Sequence, residues 1–252
     1  MKLSVIASNR PASQGAFKAI KEKYNLVSPA DADVLVVLGG DGFMLRTLHE
    51  RINRPTPIFG MNCGKIGFLL NEFNLDNLEN RIRQAEQVIL KPLEMKTENI
   101  HGKVEKTYAI NEVSLYRHSS QAAHLKISVD NQERLSELVC DGVLVATPAG
   151  STAYNLSANG PIIPIGSNIM ALTPICAFRP RRWKGALLPH NAKVQIEVLD
   201  PERRPVAAVS DYLEFSKVKK VEIQEAQQIK LPLLFDPEHN LEKRIISEQF
   251  YT

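Results

Sequence analysis

The sequence predicts two units of different class. An α/β domain over residues 1–90 is built on a parallel sheet with helices on both faces, and an all-β, sandwich-like domain follows over residues 91–230. Three observations carry this. Apolar runs of strand length alternate with helix-period segments as far as residue 88. Beyond it, short alternating runs follow one another with few helical stretches between them. No repeat and no low-complexity linker interrupts the chain.

Leu3 to Ala7 is a short apolar run and reads as the first strand. Pro11 to Tyr24 follows as a helix, with proline near its start and Ala16, Phe17 and Ile20 on one face. Val34 to Leu38 is the second strand; it empties into Gly39-Gly40-Asp41-Gly42, and a helix from Phe43 to Glu50 carries Met44, Leu45 and Leu48. Pro57 to Met61 is a third strand, and Leu75 to Gln87 a further helix with Leu78, Ile82 and Ala85 at helical spacing. Strands interleaved with helices imply a parallel sheet covered on both faces. In the second half, His101-Gly102 separates two alternating stretches as a hairpin does. Ala109–Tyr116, His124–Val129, Leu138–Thr147, Lys193–Leu199 and Val218–Ile223 read as strands, punctuated by Asp130-Asn131 and Asp200-Pro201. Residues 231–252 depart from this pattern and are expected to pack back on the first domain.

The totals narrow the function classes. A hydrophobic fraction of 44% and a charged fraction of 23% are those of an ordinary globular protein. A net charge of +3, with the basic residues dispersed, argues against nucleic acid as a partner. Cys63, Cys140 and Cys176 are odd in number and lack C-x-x-C spacing, so neither a disulfide framework nor a zinc site is expected, and a reducing compartment fits. Met1 to Ser8 reads as a strand rather than a leader, and no apolar run reaches the roughly 20 residues of a membrane span. The expectation is a cytoplasmic protein without a membrane partner.

Three clusters carry chemistry. The Gly39–Gly42 turn lets the backbone approach a bulky ligand, and the helix N-terminus after it suits phosphate. Asp41 sits where a ligand hydroxyl meets it; its ordinary alternative is an N-cap in a tight loop. The turn is neither G-x-G-x-x-G nor a P-loop, whose lysine it lacks. Cys140-Asp141-Gly142 and Thr147 to Ser157 pack small hydroxyl residues, a glycine and Tyr154 into one stretch. There hydroxyls serve a ligand and a ring stacks on a base, or the hydroxyls bond their own backbone. Asn111-Glu112 places an amide and a carboxylate inside an apolar run, which is costly without partners unless the strand is an edge facing water.

The ordered set resembles the NAD kinase family: Gly39-Gly40-Asp41-Gly42, then Asn62-Cys63-Gly64-Lys65-Ile66-Gly67-Phe68-Leu69, then Asn111-Glu112, then Asp141-Gly142 with Thr147 to Tyr154. The glycine-acid turn alone is shared with phosphofructokinases and lipid kinases; the ordered set is specific. The resemblance implies transfer of the γ-phosphoryl of ATP, or of inorganic polyphosphate, to the adenosine 2′-hydroxyl of NAD. It also implies a divalent metal, usually Mg2+, with no protein metal ligand assigned. It implies a homodimer or homotetramer whose site is shared across subunits, with an N-terminal α/β and a C-terminal β domain enclosing it.

Residue by residue, the resemblance makes Asp41 the acceptor of the 2′-hydroxyl proton. Gly39 and Gly40 face the donor phosphates, and Gly42 leaves room for NAD. Asn111 and Glu112 hold the adenosine, Asp141 lies near the nicotinamide end, and Thr152, Ala153, Tyr154 and Ser157 form a wall for NAD. Ala149, where the family commonly has a hydroxyl residue, and Asn155 belong to the same binding stretch. Arg46, one turn beyond Asp41, is a candidate phosphate contact, and Asp211 a candidate acid near the adenine pocket. Asn159 stands where the family often has glycine, a change that a positive φ tolerates. The six histidines show no paired spacing, and no G-x-S-x-G elbow appears. Arg179-Pro180-Arg181-Arg182-Trp183 reads as a solvated turn or an attractor of anionic nucleotides. Two other functions remain open at this point: a non-catalytic dinucleotide sensor, and a lipid or sugar kinase sharing only the glycine-acid turn.

Overall fold

The computed structural model describes residues 1–64 and 67–237; Lys65, Ile66 and the tail beyond 237 lie outside the described residues. The chain divides into two compact units, Met1–Leu90 with the segment that begins at Ile229, and Lys91–Gln228.

The first unit is built from β1 (Leu3–Ala7), α1 (Pro11–Lys23), β2 (Val34–Gly39), α2 (Asp41–Glu50), β3 (Ile58–Asn62), β4 (Asn71–Glu72), α3 (Leu78–Gln84) and β5 (Glu86–Leu90). β1, β2 and β3 pair in parallel, and the returning strand Leu231–Phe235 pairs with β3 in parallel and with β5 antiparallel. The side chains alternate as strand geometry requires. Val34, Val36, Leu38, Phe59 and Met61 pack with Ala16 and Ile20 of α1 and Leu78 and Ile82 of α3. On the opposite face α2 lays Met44 over Gly60, where a Cβ would stand 2.2 Å from Met44 Cε. The sheet thus has helices on both faces, and β5 is its antiparallel member. The helix expected over Leu75–Gln87 is shorter, because the chain leaves it at Ala85 to form β5. Arg81 ties the returning segment down through its ion pair with Asp236, while the buried Asn71 amide donates to Gly60 O and Leu234 O, each at 3.0 Å.

The second unit is a sandwich of two antiparallel sheets. β6 (Leu93–Asn99), β7 (Val104–Ala109), β8 (Glu112–Arg117), β9 (Ala123–Val129), β10 (Gln132–Cys140) and β11 (Gly142–Ala146) come first. A 3-10 turn (Ala149–Thr152), α4 (Tyr154–Ser157), β12 (Ile169–Ile175), β13 (Ala186–Pro189), β14 (Val194–Val198), β15 (Val206–Ser210), β16 (Leu213–Phe215) and β17 (Val218–Glu225) follow. One sheet runs β10-β9-β14-β17-β6-β7 and the other β13-β12-β11-β8-β15-β16. Between them lies a core in which Leu125, Ile127, Ile196 and Val221 of the first face Val113, Leu115, Val143 and Ala208 of the second.

Two expected strands are each broken in two. Ala109–Tyr116 splits at Ile110-Asn111, which carries the chain from the first sheet (β7) to the second (β8). Leu138–Thr147 splits at Asp141, again crossing from one sheet (β10) to the other (β11). The cause is the same: an apolar run buried on both sides of a corner shows no break in hydropathy. Asp130 and Asn131 take positive φ (52° and 62°) in the β9–β10 hairpin, and Asn159 takes φ 62°, the conformation expected for it.

Candidate functional site

Two clusters gather the residues singled out by the sequence, one in each unit. In the first unit β2 runs directly into α2. Gly40 is extended (φ −120°, ψ 179°), and none of Gly39, Gly40 and Gly42 takes positive φ. The chain turns from β2 into α2 through Gly40 alone, and it does so without positive φ, so the glycines serve space rather than left-handed backbone. A Cβ on Gly39 would lie 2.8 Å from Phe43 Cδ1, whereas one on Gly40 or Gly42 would meet nothing within 4 Å. Both face open space ahead of a helix N-terminus, whose first amides have no intrahelical acceptor.

Asp41 is the first helical residue and not the N-cap, which is Gly40, so its ordinary capping alternative does not hold. Its carboxylate reaches across to another segment and accepts from Phe68 N–H (2.8 Å) and Leu69 N–H (3.0 Å). The first two motifs thereby meet on one side chain. Asn62 Oδ1 accepts from Gly64 N–H at 2.8 Å at the other end of the second motif. Ala12, Asn62, Cys63, Gly64 and Phe73 line an open cleft of about 260 Å³. Arg46 is exposed on α2.

In the second unit the corner Ile110-Asn111-Glu112 is held from the β15–β16 turn. Asp211, at φ 54°, accepts from the N–H groups of Ile110 (2.7 Å), Asn111 (2.9 Å) and Glu112 (3.2 Å). Asp211 thus anchors backbone, a role its sequence neighbourhood does not announce because its partners are about a hundred positions away. The other side of the corner is braced by Thr147, whose hydroxyl donates to Ile110 O (2.7 Å) and accepts from Gly150 N–H (3.0 Å).

Glu112 opens β8 and is 9% exposed, so the alternative of an edge facing water fails. Its Oε2 is buried and has no hydrogen-bond partner among the described residues. Burial first, then the neighbouring Asp211 charge, push its carboxyl up to about 8, opposed by the Tyr154 backbone amide. An orphaned buried carboxyl oxygen costs on the order of 1–3 kcal/mol and calls for a ligand group.

The Thr147–Ser157 stretch divides by burial. Ser151 and Asn155 are fully buried. The Asn155 amide donates to Ser151 O and Pro161 O and accepts from Thr173 Oγ1, so both its donors are spent inside the fold. This corrects its expected place among the ligand contacts: it is a strut, and Gly160 is required beside it because a Cβ there would come within 2.1 Å of Asn155 Oδ1. Ala149 is likewise buried. Thr152 and Ala153 are half-buried, while Tyr154 (41%) and Ser157 are exposed. Burial, followed by the charges of Cys176, Glu112 and Asp141, pushes the Tyr154 phenol up. Asp141 pairs with Arg117 Nε at 2.6 Å, a partner the sequence reading did not find, since nothing in the spacing links the end of β8 to the corner between β10 and β11.

Comparison with known proteins agrees on one family. Residues 6–90 match the model of the ATP-NAD kinase N-terminal domain and residues 110–232 that of the ATP-NAD kinase C-terminal domain. An NAD kinase of Hyphomonas neptunium is 50% identical over 250 residues, covering 99% of this chain and 98% of that one. An NAD kinase of Caulobacter vibrioides is 51% identical over 249 residues, covering 99% and 96%. Among solved structures, yeast NADH kinase complexed with NADH has a TM-score of 0.84 at 21% identity, covering 100% of this chain and 88% of that one. An NAD kinase of Archaeoglobus fulgidus in complex with ATP has a TM-score of 0.78 at 22% identity, covering 98% of each. These two distant likenesses speak for the fold alone.

Proposed function

The chain belongs to the ATP-NAD kinase family, and from that premise we propose that it transfers the γ-phosphoryl of ATP to the adenosine 2′-hydroxyl of NAD, giving NADP and ADP. The observation that carries the reading is the meeting of two separate motifs on Asp41, fixed by the Phe68 and Leu69 amides. Each carboxylate oxygen spends one lone pair on an amide and keeps another for a ligand hydroxyl. As the 2′-oxygen–phosphorus bond forms and the bond from the γ-phosphorus to the ADP oxygen breaks, the hydroxyl proton passes to Asp41. A free carboxylate is a weak base toward an alcohol, so its main contribution is orientation with late proton acceptance; such transfer depends chiefly on positioning and charge stabilisation.

The remaining roles follow the family. Gly39 and Gly40 present backbone N–H groups to the donor phosphates, the open face of Gly42 leaves room for NAD, and Arg46 stands one turn on as a phosphate contact. Asn111 and Glu112 take the adenosine, Glu112 by the oxygen that has no partner within the fold. Tyr154 offers a ring for stacking, Thr152, Ala153 and Ser157 line the NAD wall, and Asp141 lies toward the nicotinamide in a homodimer or homotetramer. Among the described residues no group of three His, Cys, Asp or Glu is placed to hold an ion. Mg2+ keeps most of its waters and binds through substrate phosphates with one or two carboxylates, so it fits as a passenger on ATP, where it neutralises phosphate charge. No described helix is long and apolar enough to cross a membrane, and Cys63, Cys140 and Cys176 are free thiols, which agrees with a reducing cytoplasm.

The test is NADP formation from NAD and Mg-ATP by the purified protein, read with an NADP-specific dehydrogenase. Product that depends on Asp41 supports the kinase. NAD binding with no product from ATP or polyphosphate would leave the sensor in its place.

A further inference from the structure

We propose that Glu112 takes part in dinucleotide binding as a neutral carboxylic acid, so that binding in alkaline solution carries a proton into the site. The inference rests on the reading that NAD is the ligand, and concerns the state in which this residue meets it.

The geometry carries it. Asp211 accepts three backbone N–H groups from Ile110, Asn111 and Glu112, so its carboxyl is fixed at this corner. Glu112 stands beside it, buried, with Oε2 unmatched by any donor. Desolvation and the neighbouring carboxylate both disfavour the charged form of Glu112, and the Tyr154 backbone amide only partly opposes them. The other titratable group facing Glu112 is the Tyr154 phenol from α4, with Asp141 and Cys176 beyond that ring. No cation is among the groups that shift Glu112, the nearby Arg117 guanidinium being paired with Asp141, and the phenol, pushed up by burial, stays neutral in the same range.

A pyridine dinucleotide brings its own diphosphate charge and covers the little exposure that Glu112 retains. Both effects disfavour the carboxylate further, so the proton held in the free protein is held more firmly in the complex. A neutral carboxyl also changes what Oε2 offers: it can donate one hydrogen bond to a ligand oxygen or nitrogen and still accept another, whereas the anion only accepts. Burial, with the Asp211 charge added and the Tyr154 backbone amide opposing, moves the Glu112 carboxyl to about 8, which places the switch within reach of ordinary buffers.

The experiment is calorimetric titration of the full-length protein with NAD alone, without ATP, from about pH 6.5 to about pH 9.5 in buffers of differing ionisation enthalpy. The expected result is an NAD affinity that is flat near neutrality. Above the Glu112 midpoint it falls toward tenfold per pH unit, with buffer-dependent heat showing proton uptake approaching one per NAD. Glu112→Gln, which carries no titrating proton but keeps a donor and an acceptor, is expected to bind with no such slope and no uptake. A wild-type affinity that stays constant to about pH 9.5, or equal proton uptake in Glu112→Gln, overturns the inference while leaving NAD as the ligand. Absence of NAD binding at every pH overturns the inference together with the proposed function.

Discussion

The carboxylate of Asp41 and the backbone amide of Phe68 meet at 2.8 Å, although 27 positions separate them in sequence. The residue proposed to take the proton is thus also the clasp that holds the 67–69 segment against the start of α2. Chemistry and local structure are coupled at one side chain.

Asp41→Asn is therefore not a silent exchange of charge. An amide presents one oxygen where the carboxylate presents two, so either the Phe68 or the Leu69 N–H loses its acceptor. The expected cost is about 1–3 kcal/mol, read as a lowered midpoint in chemical denaturation. NADP formation should fall by at least about 10²-fold through loss of the acceptor. Turnover near the wild-type rate would remove Asp41 from the mechanism.

Tyr154→Ala removes an exposed ring from the proposed NAD wall and touches no core. If the ring stacks on a base, NAD affinity should weaken by about 1–3 kcal/mol with the melting temperature unchanged. Equal affinity in the two proteins would exclude the ring as a base platform.

Gly150→Ala should be severe for a reason the sequence hides. The Asn111 backbone crosses Gly150 so closely that a Cβ would stand 2.1 Å from Asn111 O and 2.5 Å from Asn111 Cα. Backbone cannot swing aside as a side-chain tip can, so the corner bearing Glu112 must move. A loss of about 2–4 kcal/mol in stability is expected, with NAD binding lost alongside. A variant as stable as wild type would show that the corner yields.

Glu112 also sets a pH dependence of stability. Its carboxyl lies at about 8 in the folded chain against an ordinary value of 4.5, so the folded state holds the proton across that window and the unfolded state does not. The contribution is fully present below the ordinary value and is lost as pH rises through the folded one, with an upper bound of about 5 kcal/mol. Unfolding free energies of wild type and Glu112→Gln should diverge as pH rises from about 5 to about 8.5, wild type losing more. Parallel curves would mean that Glu112 ionises freely.

The strand–glycine–helix unit of Val34 to Glu50 was legible because its apolar run, glycines and helical spacing lie in one short window. The corners at Ile110-Asn111 and Asp141 were not, because hydropathy reports burial and both sides of each corner are buried. Short edge strands such as Ala186–Pro189 and Leu213–Phe215 carry too few residues for a period, and proline inside Ile169–Ile175 and Leu231–Phe235 masks two more. At the site, residue types pointed to Asp41 and Glu112. Which polar groups are spent internally, as with Asn155 and Asp211, depends on partners that only folding brings near.

The return of Leu231–Phe235 to the first sheet bears on how the protein is made. This strand lies between β3 and β5, and among the described residues β5 has no other neighbour in the sheet. A nascent chain that has emerged only as far as the second unit has β5 without a sheet partner and Asn71 without the Leu234 carbonyl. The unit translated first is thus completed only after the second unit has been made, and until then it carries an open strand edge.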